Sequence, residues 1–576
     1  MKEKEFKDRE DSLLQDELSK KGMDRRSFIG KTTKIAGAAL GATLVGSLYG
    51  LPVSAVSSSS VTKSNGKQPD LVFPVISDIH IYSDDNQNLD KFMTTLEQLN
   101  GVAPKQDAIA VVGDLTEHGT PIQYDRFMSA YQAKKQSQAV PLLAIGNHEY
   151  HNGLSIAESQ SLFLKKTKME SLYYHKVIKG YHFIVLGTED GHDNETFSVK
   201  QIEWMGEQVR IANADDPNKP IFVFHHFPIS GTVYGSEWGF SKNRDLFYNT
   251  LKPYPQVIAF SGHTHYPMDD PRIIHQEDFT SIGTATGAYV WLDPGRIQGE
   301  VPEGADFLNQ ALVVEVYNNK VLLKRRDIHN NDWTGEPYEV SMPANKNNFK
   351  YTDKRRNKKA PYFTKDAMLS IVNEQTTAGS LAIMLTQAKD DLLVHDYKIT
   401  ARYAENGEVA KEVLAFSDFY KDPVPNPLTL SIDGLKPNTL YELEVHALDA
   451  YENVSERPLK VLGKTLDGVI EEIAITLSKD RINGVTDKLD VTVENLRAPK
   501  GDWIGLYEIN ENPGSIASIW WMYTTVTDRT VQFTYDPSQN FYPNRYKEGA
   551  TYKFVYFYGS GYDAVASATF TVGSED

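Results

Sequence analysis

The chain contains no cysteine in its 576 residues. That excludes disulfides, thiolate zinc sites and thiol nucleophiles together, so a metal site here must draw on His, Asp, Glu or Asn. Basic residues are also in deficit: 60 Lys and Arg stand against 77 Asp and Glu, a formal net charge of −17. A protein that coats nucleic acid needs a basic face, which this balance disfavours. A phosphorylated substrate stays open, because bound cations reverse the local field. Long apolar runs are nearly missing too. The exception is a Gly/Ala-rich stretch from Ile35 to Leu51, shorter than the ~20 apolar residues of a comfortable membrane span.

What is present begins with that stretch. It follows Asp24-Arg25-Arg26-Ser27-Phe28-Ile29 and leads to Val53-Ser54-Ala55, a small-residue cleavage pattern. The paired arginines with Phe28 two places on resemble a twin-arginine signal, although Asp24 and Gly30 depart from the commonest flanks. Residues 1–55 are therefore expected to be an export signal cleaved near Ala55, giving a secreted or cell-surface bacterial protein, with an uncleaved anchor as the alternative.

The length implies three or four units at about 150 residues each. Hydrophobic residues at 40% and charged residues at 24% exclude wholesale disorder. Residues 56–69 read as a polar linker. Residues 70–345 alternate short apolar runs with helical stripes, the pattern of an α/β domain. Leu89, Phe92, Met93, Leu96 and Leu99 fall on one helical face, Thr120-Pro121 starts a second helix, and Ser198 caps a third. The basic, polar stretch 346–359 reads as a linker, and residues 360–466 and 467–576 as two all-β units.

Five apolar runs of the α/β region each end in metal-binding residue types. Leu71–Ile76 leads to Asp78 and His80, Ala108–Gly113 to Asp114, and Pro141–Gly146 to Asn147 and His148. Ile221–Phe224 leads to His225 and His226, and Val257–Gly262 to His263 and His265. Each run has the length and continuity of a strand in a sheet covered on both faces. Ligands of open α/β sheets lie beyond the carboxyl ends of strands, so the repeat places these side chains along one rim. Gly113, Gly146 and Gly262 stand where the backbone must turn beside a ligand.

Asp78-Ile79-His80, Gly113-Asp114, Gly146-Asn147-His148-Glu149, His226-Phe227-Pro228 and Gly262-His263-Thr264-His265 resemble, in order, the calcineurin-like metallophosphoesterase superfamily. The resemblance spans residues 70 to 300 and implies a four-layer αββα sandwich, here followed by two all-β sandwich domains. It also implies two metal ions: Asp78, His80, Asp114 and His265 on the first, and Asp114, Asn147, His226 and His263 on the second, with Asp114 bridging. His226 fits the family's His-x-Pro pattern, with His225 in reserve. Imidazole, carboxylate and amide ligands suit Fe, Mn or Zn, whereas copper sites usually add sulfur. His148 is given a place over the reacting phosphate. Purple acid phosphatases carry a tyrosine ligand three residues after the bridging aspartate. Here that position is Glu117, so Gly113–Gly119 looks more like the cyclic-nucleotide and glycerophosphodiester phosphodiesterase branch.

The implied function is hydrolysis of a phosphate ester, a phosphodiester preferred, by a metal-bridging hydroxide at neutral pH. Alternatives are a broad phosphomonoesterase that scavenges phosphate and a cell-surface or glycan-binding protein acting through its β-domains. His118 and His151 read as residues around the ligands. Glu189–Asn194 is either a substrate loop or a polar turn, and Glu237-Trp238 is a candidate pocket wall. Leu435, Pro437, Thr439 and Tyr441 resemble the late strands of a fibronectin type III module, with Tyr441 as its tyrosine corner. The last domain resembles a SKICH-type β-sandwich. Its Trp520-Trp521 pair is either core or a carbohydrate platform, core being favoured.

Overall fold

In chain order the α/β region runs β1 (Leu71–Ile76), α1 (Gln87–Val102), β2 (Ala108–Val112), α2 (Pro121–Lys134), β3 (Val140–Ala144), α3 (Ile156–Thr167), β4 (Tyr174–Ile178), β5 (Tyr181–Val185), α4 (Val199–Asp215), β6 (Ile221–His225), α5 (Arg244–Leu251), β7 (Val257–Ser261), β8 (Ile274–Gln276), β9 (Thr280–Gly283), β10 (Gln310–Tyr317), β11 (Lys320–Asp327), β12 (Asp332–Trp333) and β13 (Tyr338–Ser341). The computed structural model describes residues 68–573 apart from 191–196, 303, 358, 471, 497–501, 517, 525–528, 541, 559–561 and 563. The expected signal segment 1–55, most of the 56–69 linker and part of the Glu189–Asn194 loop lie outside the described residues. Pro69–Asp576 forms one compact unit. Among the described residues no helix is long and apolar enough to cross a membrane.

The helices start where the chemistry of their first turns permits. Thr120 accepts a hydrogen bond from the Gln123 N–H, and Pro121 occupies the first turn, where a missing N–H costs nothing. Ser198 caps α4 in the same way through Gln201. Phe92, Leu96 and Leu99 form the buried stripe of α1, flanked by the partly buried Leu89 and Met93.

One sheet has the order β12-β11-β10-β1-β2-β3 with β13 beside β11, and the other has the order β4-β5-β6-β7-β9-β8. Strands β1, β2 and β3 are parallel, as are β5, β6, β7 and β9, so within each sheet the ligand-bearing carboxyl ends point one way. Between the sheets lies a phenylalanine cluster in which Phe73 meets Phe222 edge-on at 4.9 Å and Phe224 stacks on Phe260 at 5.0 Å. Helices α1–α3 cover the outer face of the first sheet, and α4 and α5 that of the second. These are the four layers of an αββα sandwich. The five motif-bearing runs divide between the sheets: β1, β2 and β3 in one, β6 and β7 in the other. The site is therefore the common edge of two sheets rather than the rim of one.

The C-terminal region is built almost entirely of sheets. Residues 369–464 form a three-stranded and a four-stranded sheet around Leu381, Ile399, Tyr441 and Val445. Residues 474–572 form a three-stranded and a five-stranded sheet. Their core takes Trp520, which is 7% exposed, whereas Trp521 lies on the opposite face of the strand beside Trp503. Adjacent strand residues point to opposite faces, so the two members of the pair have different fates.

The first of these sandwiches packs on the α/β region. Val290, Leu292, Ala305 and Leu308 share an apolar cluster with Phe416, Phe419 and Tyr420. Arg296 donates two hydrogen bonds to Asp396, and Gln298 pairs with the backbone of Phe416 in both directions. Residues 346–355 of the expected linker lie against the α/β region. Tyr351 packs on the inter-sheet core, and Arg355 donates to the carbonyls of Pro271 and Ile274.

Candidate metal centre

Three of the five strands, β1, β2 and β7, deliver their ligands through an abrupt left-handed step. Asp78, His80, Asp114, His263 and His265 have φ of 53°, 50°, 50°, 72° and 58°. For residues with a Cβ this conformation costs about 1–3 kcal/mol each, and it persists only where the surroundings enforce it. Here they do. The N–H groups of Ile79 and His80 donate to the Asp114 carbonyl, that of Gly262 to the His226 carbonyl, and that of His263 to the Asp78 carboxylate at 2.9 Å. Two glycines allow the close approach. A Cβ on Gly113 would lie 2.3 Å from His226 Nδ1, and one on Gly146 would lie 2.1 Å from Asp114 Oδ1.

The side chains converge on Asp114. Its Oδ2 lies 3.1 Å from His226 Nε2 and 3.8 Å from His80 Nε2. On one side His265 Nε2 is 3.3 Å from Asp78 Oδ1, and on the other His226 Nε2 is 3.0 Å from Asn147 Oδ1. Three sets of potential ligand atoms result: Asp78, His80 and His265 on one side, Asp114, His226 and His263 on the other, and His80, Asp114 and His148 joining them. Burial pushes the Asp114 carboxyl up, but the His226 and His148 rings outweigh it and hold it well below the usual range.

The outward ring nitrogens fix the tautomers. His80 Nδ1 donates to Glu117 Oε2 at 2.9 Å, His226 Nδ1 to the Val112 carbonyl at 2.9 Å, and His265 Nδ1 to the Tyr289 carbonyl at 2.9 Å. With the proton on Nδ1, each ring turns its Nε2 inward, the posture of a histidine held for a metal; at His226 burial lowers the affinity for a proton, but the facing Asp114 carboxylate raises the pKa to about 9. His80 Nε2 and His265 Nε2 approach to 3.1 Å. Two neutral lone pairs at that distance repel one another, and a cation between them removes the conflict. The donor set therefore fits a metal ion.

His225 points elsewhere. Its ring sits against Phe197 and Phe247 in the layer between α4, α5 and the second sheet, its Nδ1 donates to the Phe227 carbonyl, and burial pushes it down to about 4. His148 lies at the mouth. Its N–H donates to Asp114 Oδ1 at 3.0 Å, and its ring Nδ1 donates to the Glu117 carbonyl at 2.9 Å, which leaves Nε2 free. Burial lowers its affinity for a proton, but the Asp114 and Glu117 carboxylates more than restore it, so the net direction is up. His151 lies tilted against His148 at 4.6 Å, and burial with the neighbouring His148 brings it down to about 4. His118 is exposed, its ring 6.4 Å from that of Tyr82.

Three participants had no role assigned from the sequence. Glu149 is buried and accepts from the N–H groups of Asp114, Gly146 and Thr116 and from the Thr116 hydroxyl, tying the loop after β2 to the loop after β3. Its position inside the Gly146–Glu149 motif was the available signal. Glu117 orients His80, where the sequence marked it only as replacing a tyrosine ligand. Tyr289 lies against His265 and His80 at 4.7 and 5.8 Å, and no motif announces it.

Residues 72–267 match the family model described as calcineurin-like phosphoesterase. The chain is 26% identical over 208 residues to a cAMP/cGMP dual specificity phosphodiesterase of Mycobacterium tuberculosis, covering 34% of this chain and 63% of that protein. It is 23% identical over 199 residues to a 3′,5′-cyclic-nucleotide phosphodiesterase of a Nostoc species, covering 33% and 70%. It is 24% identical over 203 residues to a probable glycerophosphodiester phosphodiesterase of Arcobacter nitrofigilis, again covering 33% and 70%. Among solved structures, a purple acid phosphatase from yellow lupin seeds aligns with 47% of this chain and 55% of its own, at 14% identity and a TM-score of 0.36. The chain thus spans somewhat under two thirds of the first of these relatives, 63% of its length. Residues 72–267 form a calcineurin-like metallophosphoesterase domain, carried in a longer chain whose C-terminal region is mostly β-sheet.

Proposed function

We propose that this chain is an exported phosphodiesterase whose centre takes two metal ions, one on Asp78, His80, Asp114 and His265, the other on Asp114, Asn147, His226 and His263. The observation that carries this reading is the set of inward-facing Nε2 atoms grouped on either side of the shared Asp114 carboxylate. When bound, such a pair of cations supplies Lewis acidity: it neutralises phosphoryl charge and lowers the pKa of water. The chain's residues do the rest. Asp114, an anion at neutral pH, sets the spacing of the two ligand groups, and Glu117 keeps the His80 lone pair aimed inward. His148, anchored through its N–H and its Nδ1 beside Asp114, holds a proton at Nε2 for the departing oxygen. The preference for a diester draws on Glu117 in place of a tyrosine ligand and on the two cyclic-nucleotide phosphodiesterases among the relatives.

Export rests on Arg25-Arg26 and the Ile35–Leu51 run. A fibronectin type III-like identity for residues 360–466 is supported by Tyr441, whose buried hydroxyl accepts from the Lys436 N–H at 2.8 Å. The test of the main reading is turnover of bis-p-nitrophenyl phosphate beside p-nitrophenyl phosphate, with elemental analysis of the purified chain. Faster diester hydrolysis with about two metals per chain is expected. A faster monoester points to the phosphate-scavenging reading, and a metal-loaded chain that hydrolyses neither ester refutes the proposal.

A further inference from the structure

The segment after β9 alternates. Val290 and Leu292 are buried in the cluster shared with Phe416, Phe419 and Tyr420 of the first sandwich, while Tyr289 and Trp291 belong to none of the apolar cores and are half-buried. A period of two sends successive side chains to opposite sides of an extended segment. One side therefore grips the sandwich, and the other carries Tyr289 against the ligand His265, with Trp291 next in line. The backbone fixes that placement: the Trp291 N–H donates to the His265 carbonyl at 3.2 Å, and His265 Nδ1 donates to the Tyr289 carbonyl at 2.9 Å. Arg296, Ile297 and Gln298, a few residues on, are bonded to Asp396, Leu414 and Phe416 of the sandwich.

The outcome is a continuous row of aromatic rings leading away from the ligands. Tyr289 lies 4.7 Å from His265, Trp291 lies 6.3 Å from Tyr289, and Trp238 meets Trp291 at 5.5 Å. Acidic groups border the row: Glu237 precedes Trp238 and is exposed, and Asp293 and Glu237 act on the Tyr266 ring, which lies 5.6 Å from Trp238. Neutral rings with acidic neighbours repel a polyanionic organic group and suit a flat uncharged one.

We propose that Trp291, backed by Tyr289 and Trp238, is the stacking wall for a planar group of the substrate, selecting phosphoesters that carry a nucleobase or aryl group over those carrying a polyol. This rests on the phosphoesterase reading for the placement of the phosphate, and the first sandwich is the support that holds the wall in position. Stacking of a base on an aromatic side chain contributes affinity by roughly 10- to 100-fold per ring. The metal-loaded full chain and its Trp291→Leu and Trp291→Phe variants are titrated with adenosine 5′-monophosphate and with glycerol 3-phosphate by calorimetry, after circular dichroism has matched their folds. The expected result is that Trp291→Leu weakens the adenylate by about 10-fold or more, leaves glycerol 3-phosphate within about two-fold, and is largely rescued by Trp291→Phe. An equal loss for both ligands, or no loss for the adenylate, overturns the wall. If no phosphoester is turned over while the Trp291-dependent adenylate binding persists, the phosphoesterase reading falls and the wall stands.

Discussion

Replacing Asp396 with Asn removes one charge from the contact between the first β-sandwich and the α/β region while keeping the shape of the side chain. Asp396 is 5% exposed and accepts from Arg296 at 3.1 and 2.7 Å and from His395 Nδ1 at 2.9 Å. Burial alone would raise its carboxyl, but His395 and Arg296 overcome this and hold it at about 2, against an ordinary 3.8. That difference corresponds to about 2 kcal/mol of stability at neutral pH. The sign follows from the depression. The contribution is full above the unfolded value of 3.8 and is lost as pH falls through the folded value of about 2. Asp396→Asn should therefore lose about 2 kcal/mol at neutral pH, and its gap from the parent should narrow as the medium is acidified below 3.8. Asp396→Ala also removes the acceptor atoms facing Arg296 and His395 Nδ1, leaving Asp293 as the carboxylate within reach of both, and should lose more than Asp396→Asn. Glu207→Gln, which breaks a pair with Arg210 whose side chains are 50% and 61% exposed, is the control and should change little. Urea unfolding followed by tryptophan fluorescence at several pH values measures all three. An Asp396→Asn protein as stable as the parent at neutral pH, or a gap that persists undiminished into acid, would refute the reasoning.

Other perturbations separate metal binding from chemistry. His148→Ala should keep its metals and lose kcat by about 10²–10⁴-fold, whereas Asp114→Ala should lose the metals themselves; elemental analysis beside kinetics decides, and a metal-free His148→Ala would place that residue among the ligands. Gly146→Ala sets a Cβ 2.1 Å from Asp114 Oδ1, so a folded variant should show sharply reduced metal content, and full occupancy would contradict the close packing. Replacing Arg25 and Arg26 together by lysine should stop export, as measured by fractionation, and unchanged secretion would remove the twin-arginine assignment.

The ligands were legible because two local facts coincide at each of them: an apolar run long enough for a buried strand, and a His, Asp or Asn immediately after it. Thr120-Pro121 and Ser198 were legible for the same local reason, since a cap satisfies the N–H groups of its own first turn. Composition fixed the ligand types too, because a chain without cysteine leaves imidazole, carboxylate and amide. Tertiary structure decided the rest. The division of the five strands between two sheets depends on which faces pack together, and Phe73 on Phe222 is a contact no local pattern encodes. The left-handed turns at Asp78, Asp114 and His265 are enforced by bonds such as His263 to Asp78, between residues 185 apart in sequence. The choice between His225 and His226 was made by the direction of a strand's pleat, which sends one ring among phenylalanines and the other to Asp114. Trp520 and Trp521 parted for the same reason. Tyr289 reaches the ligand His265, with Trp291 beside it, only because Val290 and Leu292 are buried against another domain. The sequence by itself determined which atoms are available to a metal and where the strands that carry them end. Packing between distant segments determined which of those atoms meet, because the free energy that bends a backbone into a left-handed turn or turns a ring inward comes from contacts the local chain does not contain.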